Sequence, residues 1–150
     1  MLALIQRVTR AEVRVAGESV GVIGHGLLAL IAIEPDDGEV QAQRMCQRLL
    51  GYRIFADDEG RMNRSLADTG GGLLLVSQFT LAADTRKGMR PGFSTAAAPD
   101  VGLRWYNRLV EIATASHPQV EIGRYGAHMQ IELVNDGPAT FLLGASRNPD

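Results

Sequence analysis

The sequence predicts an α+β fold, in which a curved, barrel-like sheet of mixed or antiparallel strands carries two main helices packed on one side. Many segments alternate apolar and polar residues or form short apolar runs, whereas only two segments repeat apolar residues at the helical period. Many strands with few helices are typical of α+β proteins. Since no repeat, low-complexity stretch or linker divides the 150 residues, we expect a single domain over residues 1–150.

The strands before the C-terminal region are predicted from apolar alternation and from buried apolar runs. Alternation gives a hairpin near the N-terminus, and uninterrupted apolar runs give strands with both faces covered. The segments are LALIQRVTRAEVRVAG, SVGVIGHGLLALIAIE, YRIFAD and GGLLLVSQF.

The segment MQIELVNDGPATFLLG, residues 129–144, holds two further alternating stretches on either side of Gly137–Pro138. Asn and Asp side chains bond to the nearby backbone, Gly accepts unusual torsion angles, and Pro restricts its own φ. The segment therefore predicts two strands joined by a rigid turn.

Two segments, DDGEVQAQRMCQRLLG and DVGLRWYNRLVEIATASH, repeat apolar residues at helical spacing and predict the two helices. Gly51 is the predicted C-cap of the first helix, because glycine commonly ends helices. Cys46 lies among the apolar positions of the same helix and is predicted to face the core, since free cysteine is among the most buried residue types.

Composition excludes several classes of protein. Cys46 is the only cysteine, which excludes an intrachain disulfide framework and is typical of the reducing cytoplasm. The longest apolar run, GLLALIAI, is too short to span a bilayer, and no signal peptide or membrane association is expected. The formal net charge of −2 disfavours a generally basic nucleic-acid-binding surface, although a local basic patch remains compatible with it.

The sequence contains no nucleophile elbow, P-loop or dinucleotide-binding motif. None of His25, His117 and His128 stands at metal-ligand spacing from a second ligand, so no metal and no cofactor is expected, and capping or surface roles are favoured for the three. The buried run LLLV, however, ends in Ser77-Gln78-Phe79-Thr80. This segment is either a site on rigid support or a simple turn, and neither hydroxyl has a base identifiable from sequence.

A long polar loop, residues 80–100, follows this segment and carries Arg86, Lys87, Arg90 and Phe93. Loops of this length without structure of their own are usually functional or disordered. Basic residues interleaved with an aromatic ring can contact phosphates and stack on a base, although many basic loops are merely solvated.

Four motifs together, QRV at residues 6–8, SQFTL at 77–81, GMRP at 88–91 and NDGPAT at 135–140, resemble the bacterial-type D-aminoacyl-tRNA deacylase (D-tyrosyl-tRNA deacylase) family. The resemblance runs from Met1 to about Leu143. Residues from about 144 to 150 resemble a flexible tail. The resemblance implies a cytoplasmic, homodimeric hydrolase that cleaves the ester bond of D-aminoacyl-tRNA and binds the terminal adenosine.

The resemblance also implies roles for individual residues. Ser77, Gln78, Phe79 and Thr80 are implied to form the catalytic pocket floor, where the backbone N–H of Phe79, assisted by Thr80, stabilises an oxyanion. The attacking water is assisted by the 2′-hydroxyl of the tRNA. The residues implied to bind the substrate and select its chirality are Arg7, Gly137, Pro138, Ala139 and Thr140. The candidates for contacting tRNA are Arg86, Lys87, Arg90, Phe93 and Met129.

The Gly137–Pro138 bond is implied to be cis, to be held by Arg7, and to project into the pocket of the partner subunit. Such a backbone wall would exclude L-amino acids, whereas glycine, which lacks a side chain, would pass it, so glycyl-tRNA is an expected side substrate. Ala139 departs from the usual family pattern, which has valine after Gly–Pro. This departure puts the packing around the corner in doubt.

Two alternatives from other classes remain at this point. One is a small-ester hydrolase that uses Thr80 or Ser77 as a covalent nucleophile. The other is a non-catalytic tRNA-binding module, whose binding would depend steeply on salt. Turnover of simple esters would favour the first, and tRNA binding without deacylation would favour the second.

Overall fold

The structure, a computed structural model, describes residues 1–146 and contains one six-stranded sheet and one small two-stranded sheet. The strands are β1 (Leu2–Val15), β2 (Glu18–Ile23), β3 (Gly26–Ala32), β4 (Phe55–Ala56), β5 (Met62–Arg64), β6 (Gly72–Ser77), β7 (Val120–Ile122) and β8 (Gln130–Gly144). The helices are α1 (Glu39–Gly51), α2 (Leu66–Thr69) and α3 (Pro99–Ser116), and a 3-10 turn covers Phe79–Ala82.

The main sheet has the strand order β2-β1-β3-β6-β7, and β8 pairs with β1. Strand β1 pairs with β3 through its first half and with β2 through its second, so the sheet bends along β1. The β3–β6 and β6–β7 pairs are parallel and the others are antiparallel. The predicted curved, mixed sheet of an α+β protein is confirmed.

The two long helices, α1 and α3, pack on the same face of this sheet, as predicted. Their buried residues meet the inward residues of β1, β3 and β6 in one cluster, which includes Met45, Leu49, Tyr106, Leu109, Ile5, Ile31 and Leu75. A second cluster lies on the opposite, concave face and includes Val8, Val13, Leu28, Leu74 and Val76. Because β6 is covered on both faces, its sequence is an unbroken apolar run.

The helix predictions hold with one correction. Cys46 is buried, as predicted. Gly51 is not a C-cap, because it is the last residue of α1. The C-cap is Tyr52, whose extended backbone donates to the carbonyl of Arg48 over 2.9 Å. His117 caps α3 as expected, but it is buried and its Nε2 lies 2.6 Å from the carbonyl oxygen of Gly71. Within residues 1–146, no helix is both long and apolar enough to cross a bilayer.

The C-terminal region differs most from the prediction of two strands joined by a turn. Residues 130–144 form a single strand that pairs with β1 on both sides of Gly137–Pro138. Gln6 faces Thr140 and Val8 faces Asn135, so four β8 residues stand opposite Arg7 alone. The Gly–Pro segment is therefore a wide bulge in one strand, since the chain continues in the same direction after it.

The predicted tail overlaps with ordered structure at its beginning. Gly144 pairs with Leu2, and Ala145 is buried and donates to the carbonyl of Met1. The rest of that prediction, residues 147–150, lies outside the described residues.

Candidate functional site

The Ser77–Thr80 segment emerges from the buried end of β6. Strand β6 lies between β3 and β7, and the register places Ser77 beside Ile31. The N–H of Gln78 donates to the carbonyl of Ile31 over 2.7 Å, so the chain stays attached to the sheet as it leaves the strand. Groups at the end of such a supported strand are held in place better than groups on a free loop.

The backbone of Phe79 and Thr80 offers donors at this position. Phe79 begins the 3-10 turn, whose first N–H groups have no acceptor inside the turn. The side chain of Gln78 does not cap them. Instead, the amide of Gln78 donates a short hydrogen bond to the hydroxyl oxygen of Thr80. Within residues 1–146, the backbone N–H groups of Phe79 and Thr80 find no acceptor and are available to an external one.

A cavity of about 450 Å³ opens beside this segment. Ser77, Gln78, Phe79 and Met129 line it. The remaining lining residues are Ala97, Pro99, Tyr125, Gly126, Ala127, His128 and Ile131. The structure thus brings three of the four predicted catalytic residues together with Met129, while the exposed Thr80 lies just outside the lining.

The wall formed by residues 125–128 was missed by sequence reasoning. These residues connect β7 to β8 and carry no periodic pattern, so nothing in the sequence indicates where they lie. The hydroxyl of Tyr125 donates to the carbonyl of Pro99 over 3.1 Å. Burial, with a smaller contribution from Asp100, raises the pKa of Tyr125, so this phenol stays neutral at physiological pH.

The long loop after Thr80 is not structureless, contrary to the expectation. Asp84 and Gly92 exchange two backbone hydrogen bonds of 2.8 and 2.9 Å, which makes residues 84–92 a small projecting arm. We call these residues the basic arm. Its base lies against the cavity, because the ring centroids of Phe93 and Phe79 are 5.3 Å apart.

The three cations of the basic arm are not equivalent. Arg86 forms a bidentate pair with Asp84, with both nitrogen–oxygen distances at 2.8 Å, and this pair lowers the pKa of the Asp84 carboxyl. Lys87 and Arg90 are exposed and form no ion pair with any residue between 1 and 146. None of the three lines the cavity.

The Gly137–Pro138 corner is held from β1. The peptide bond is cis, as the resemblance implies. Arg7 donates from Nε to the carbonyl of Asp136 over 3.0 Å, and the same nitrogen lies 3.2 Å from the Asp136 carboxylate. The amide of Asn135 donates to the carbonyls of Arg7 and Ala139 at 3.0 and 3.2 Å. These contacts fasten both sides of the corner, which itself is exposed.

Two other residues predicted to select the substrate flank this corner. Ala139 is fully buried, and the hydroxyl of Thr140 accepts a hydrogen bond of 3.1 Å from the amide of Gln6. Arg7 and Asp136 line a separate cavity of about 460 Å³.

Within one chain, the corner and the Ser77–Thr80 segment lie at opposite ends of the sheet. Arg7 pairs with Leu27 at the start of β3, whereas Ser77 pairs with Ile31 near its end. Four residues of strand separate these levels by about 13 Å. The predicted site residues therefore form two groups. Among residues 1–146, no group of three His, Cys, Asp or Glu side chains is placed to hold a metal ion.

Comparisons with known proteins agree with each other. The family model described as D-Tyr-tRNA(Tyr) deacylase matches residues 4–144. A protein named D-aminoacyl-tRNA deacylase from Stenotrophomonas maltophilia (strain K279a) is 67% identical over 144 residues, covering 95% of this chain and 99% of its own. One of the same name from Azotobacter vinelandii (strain DJ / ATCC BAA-1303) is 65% identical, covering 97% and 100%.

Two solved structures are also similar. One, named c-Myc DNA Unwinding Element Binding Protein, has a TM-score of 0.93 at 35% identity and covers 97% of this chain and 99% of its own. The other, described as a probable eukaryotic D-amino acid tRNA deacylase, has a TM-score of 0.81 at 20% identity, covering 95% and 97%. The second likeness is one of fold alone.

Proposed function

The chain belongs to the D-Tyr-tRNA(Tyr) deacylase family and has D-aminoacyl-tRNA deacylase activity, and we propose how its residues perform this hydrolysis. The bond that breaks joins the carboxyl group of a D-amino acid to the terminal ribose of tRNA, and the products are the free D-amino acid and tRNA. Residues 1–150 act as one deacylase domain in the cytoplasm, where aminoacylated tRNA is used.

The first part of the proposal is that backbone N–H groups stabilise the oxyanion of the tetrahedral intermediate. It is carried by one observation, the N–H groups of Phe79 and Thr80, which find no acceptor within residues 1–146 and lie at the start of a 3-10 turn beside the cavity of about 450 Å³. Preorganised donors bind the developing oxyanion more strongly than the ground-state carbonyl, and losing one typically costs about 3 kcal/mol.

The attacking group in this proposal is water, assisted by the 2′-hydroxyl of the terminal ribose. The ester is already activated, so no strong protein nucleophile is required. The contacts of Thr80 disfavour the alternative of a covalent nucleophile, because its hydroxyl accepts from the Gln78 amide and, within residues 1–146, contacts no basic side chain. An unactivated hydroxyl is a weak nucleophile.

The second part of the proposal is that the Gly137–Pro138 corner selects the D-enantiomer. Two enantiomers have the same volume and the same functional groups, so a pocket separates them only if a rigid wall occupies the position of one side chain. The contacts of Arg7 and Asn135 support this rigidity. A wall made of backbone accepts many D side chains, and it does not exclude glycine, so glycyl-tRNA is a proposed side substrate.

The third part is a homodimer in which each corner serves the partner's site. The separation of about 13 Å along the sheet supports it, because a corner at that distance cannot wall the cavity of its own chain. Val134 and Leu142, on either side of the corner, are 57% and 61% exposed, so both apolar side chains are available for contact with a partner subunit.

A proline substitution tests the oxyanion proposal, since it removes one backbone donor. Phe79→Pro deletes the N–H, whereas its control Phe79→Ala loses the same ring but keeps the N–H. Proline is accepted at the first position of a helical turn. We expect kcat for D-tyrosyl-tRNA to be about 100- to 1000-fold lower in Phe79→Pro than in Phe79→Ala. Equal kcat values in the two variants, both folded by circular dichroism, would contradict the proposal.

A comparison of enantiomers tests the selection. Purified protein is incubated with D-tyrosyl-tRNA and L-tyrosyl-tRNA, and the loss of ester is followed. We expect rapid loss of the D-ester and almost none of the L-ester. Equal rates would refute the chiral wall, and tRNA binding without any ester loss would favour a binding module.

A further inference from the structure

We propose that the basic arm, residues 84–92, binds the sugar-phosphate backbone of the nucleotides that immediately precede the terminal adenosine, through Lys87 and Arg90. This inference rests on the proposed function, in which the aminoacylated end of tRNA enters the cavity beside Ser77–Phe79. It assigns the phosphate contacts to two of the three cations and excludes the third.

The arm begins at the cavity and projects away from it. Its base is attached by the Phe93–Phe79 ring contact and by a hydrogen bond of 2.6 Å from the Thr95 hydroxyl to the carbonyl of Ala82. Gly88 lies four positions along the chain from both Asp84 and Gly92, and its φ of +71° turns the chain at the tip. The tip therefore extends up to about 13 Å beyond the base. The tip is exposed and lies outside the cavity lining, where it can contact the nucleotides that precede one bound in the cavity.

The charge of the arm is concentrated at that tip. Arg86 donates from Nε and Nη2 to the two carboxylate oxygens of Asp84 at 2.8 Å, so its charge is already paired and it braces the base of the arm. Lys87 and Arg90 have no such partner within residues 1–146. No acidic residue occurs from 85 to 93, although the whole chain carries a net charge of −2. The positive charge is thus local and directed to one segment of the ligand.

The geometry favours single-stranded RNA over a duplex. Met89 is fully exposed between the two free cations, and Phe93 at the base is 45% exposed. Apolar and aromatic surface interleaved with cations is the arrangement by which proteins bind unpaired nucleotides, through stacking on bases and attraction to phosphates. The unpaired 3′ end of tRNA satisfies both requirements.

Salt dependence tests the assignment. Each phosphate contact to a single strand contributes about 0.7 to the slope of log K against log salt. For deacylated tRNA, we expect the double variant Lys87→Ala/Arg90→Ala to have a slope about 1.4 smaller in magnitude than that of the wild type. The control is Arg61→Ala, which replaces an exposed arginine paired with Glu59 in the β4–β5 turn and should leave the slope unchanged. With tRNA trimmed of its last three nucleotides, wild type and double variant should have equal slopes.

Lys87 also allows a direct test, because it is the only lysine of the chain. The amino group of Met1 is buried in ion pairs with Glu34 and Asp37, so acetylation of folded protein by an amine-reactive ester reports on Lys87. Intact tRNA should slow this acetylation several-fold, and trimmed tRNA should not. Equal protection by both tRNAs, or an unchanged salt slope in the double variant, would overturn the inference. Those results leave the D-against-L comparison, and with it the proposed function, untouched.

Discussion

Arg7 ties two distant parts of the chain together, because its Nε donates to the carbonyl of Asp136 over 3.0 Å while its Nη1 donates to the carbonyl of Ile54 over 2.6 Å. The first contact holds the bulge of β8, and the second holds the segment before β4. The side chain is only 13% exposed; its bond to Ile54 is partly buried, whereas its bond to Asp136 faces solvent. One guanidinium thus sets the position of the corner relative to the framework.

Replacing Arg7 by lysine should weaken both contacts at once. A single ammonium cannot span the two carbonyls with the fork geometry of arginine. We expect a loss of about 1.5–3 kcal/mol in the free energy of unfolding and a smaller ratio of D- to L-tyrosyl-tRNA hydrolysis. Urea titration and the two hydrolysis rates measure this, with Arg61→Ala as the control. An unchanged enantiomer ratio in a destabilised variant would show that Arg7 supports the fold without positioning the corner.

Gly137 should not accept a larger side chain. A Cβ built there would lie 2.7 Å from the Oδ1 of Asn135, the side chain whose amide holds the carbonyls of Arg7 and Ala139. Gly137→Ala must therefore shift the Asn135 side chain and disturb its hydrogen bonds to these two carbonyls. We expect kcat/KM for D-tyrosyl-tRNA to fall at least tenfold.

The matched control for this variant is Gly144→Ala in the same strand, where a Cβ meets nothing within 4 Å. Its kcat/KM should equal that of the wild type. Equal activity of Gly137→Ala and Gly144→Ala would contradict a role of the Asn135 hydrogen bonds in the proposed mechanism.

Cys46 should be protected from thiol reagents in the folded protein. It is 3% exposed between α1 and α3, and burial raises the pKa of its thiol, so the reactive thiolate is scarce at neutral pH. We expect labelling by iodoacetamide to be slow in buffer and complete in denaturant, as measured by mass spectrometry. Rapid labelling without denaturant would mean that the helix pair opens locally.

The ion pair between α1 and α3 should make stability depend on pH. Arg108 donates to both carboxylate oxygens of Glu39 at 2.8 Å, which lowers the pKa of Glu39 to about 2. Since the unfolded value is near 4.5, this contribution is complete above pH 4.5 and is lost as the pH falls towards 2.

Urea midpoints of the wild type and of Glu39→Gln measure this contribution. The variant should be less stable at pH 7, and the difference should shrink below pH 4. A difference that stays constant from pH 7 to pH 3 would contradict the pairing. Gln43→Ala, which removes a smaller contact to the same carboxylate, serves as the control.

The sheet and the two main helices could be predicted from the sequence because their signals are local. Buried runs such as that of β6 and the helical spacing of Met45 and Leu49 depend only on which faces are covered. The bulge in β8 could not be predicted. Asn-Asp-Gly-Pro has the same local chemistry whether the chain reverses or continues, and only the pairing of both halves with β1 decides between them.

The candidate site divides in the same way. Ser77–Phe79 could be predicted as a candidate because a polar segment follows a buried strand, although the residues alone left a simple turn as the alternative. The lining at residues 125–128 depends on the parallel pairing of β6 with β7, which the sequence does not indicate. The ion pair between Arg86 and Asp84 could not be predicted from the sequence either, because two charged side chains two residues apart either pair or point away from each other.

The register of β8 has a consequence for how this enzyme is assembled. Thr140 pairs with Gln6 and Asn135 pairs with Val8, so residues 136–139 all stand opposite Arg7. Regular pairing needs one residue there, so β8 contains three extra residues at the corner. The corner is thus an insertion into a strand whose two halves both pair with β1. A chain lacking Asp136, Gly137 and Pro138 would keep Ala139 opposite Arg7, which leaves only the irregularity between Val8 and Arg10 in this pairing. We therefore expect a single short deletion to remove the proposed stereochemical filter and to keep the scaffold.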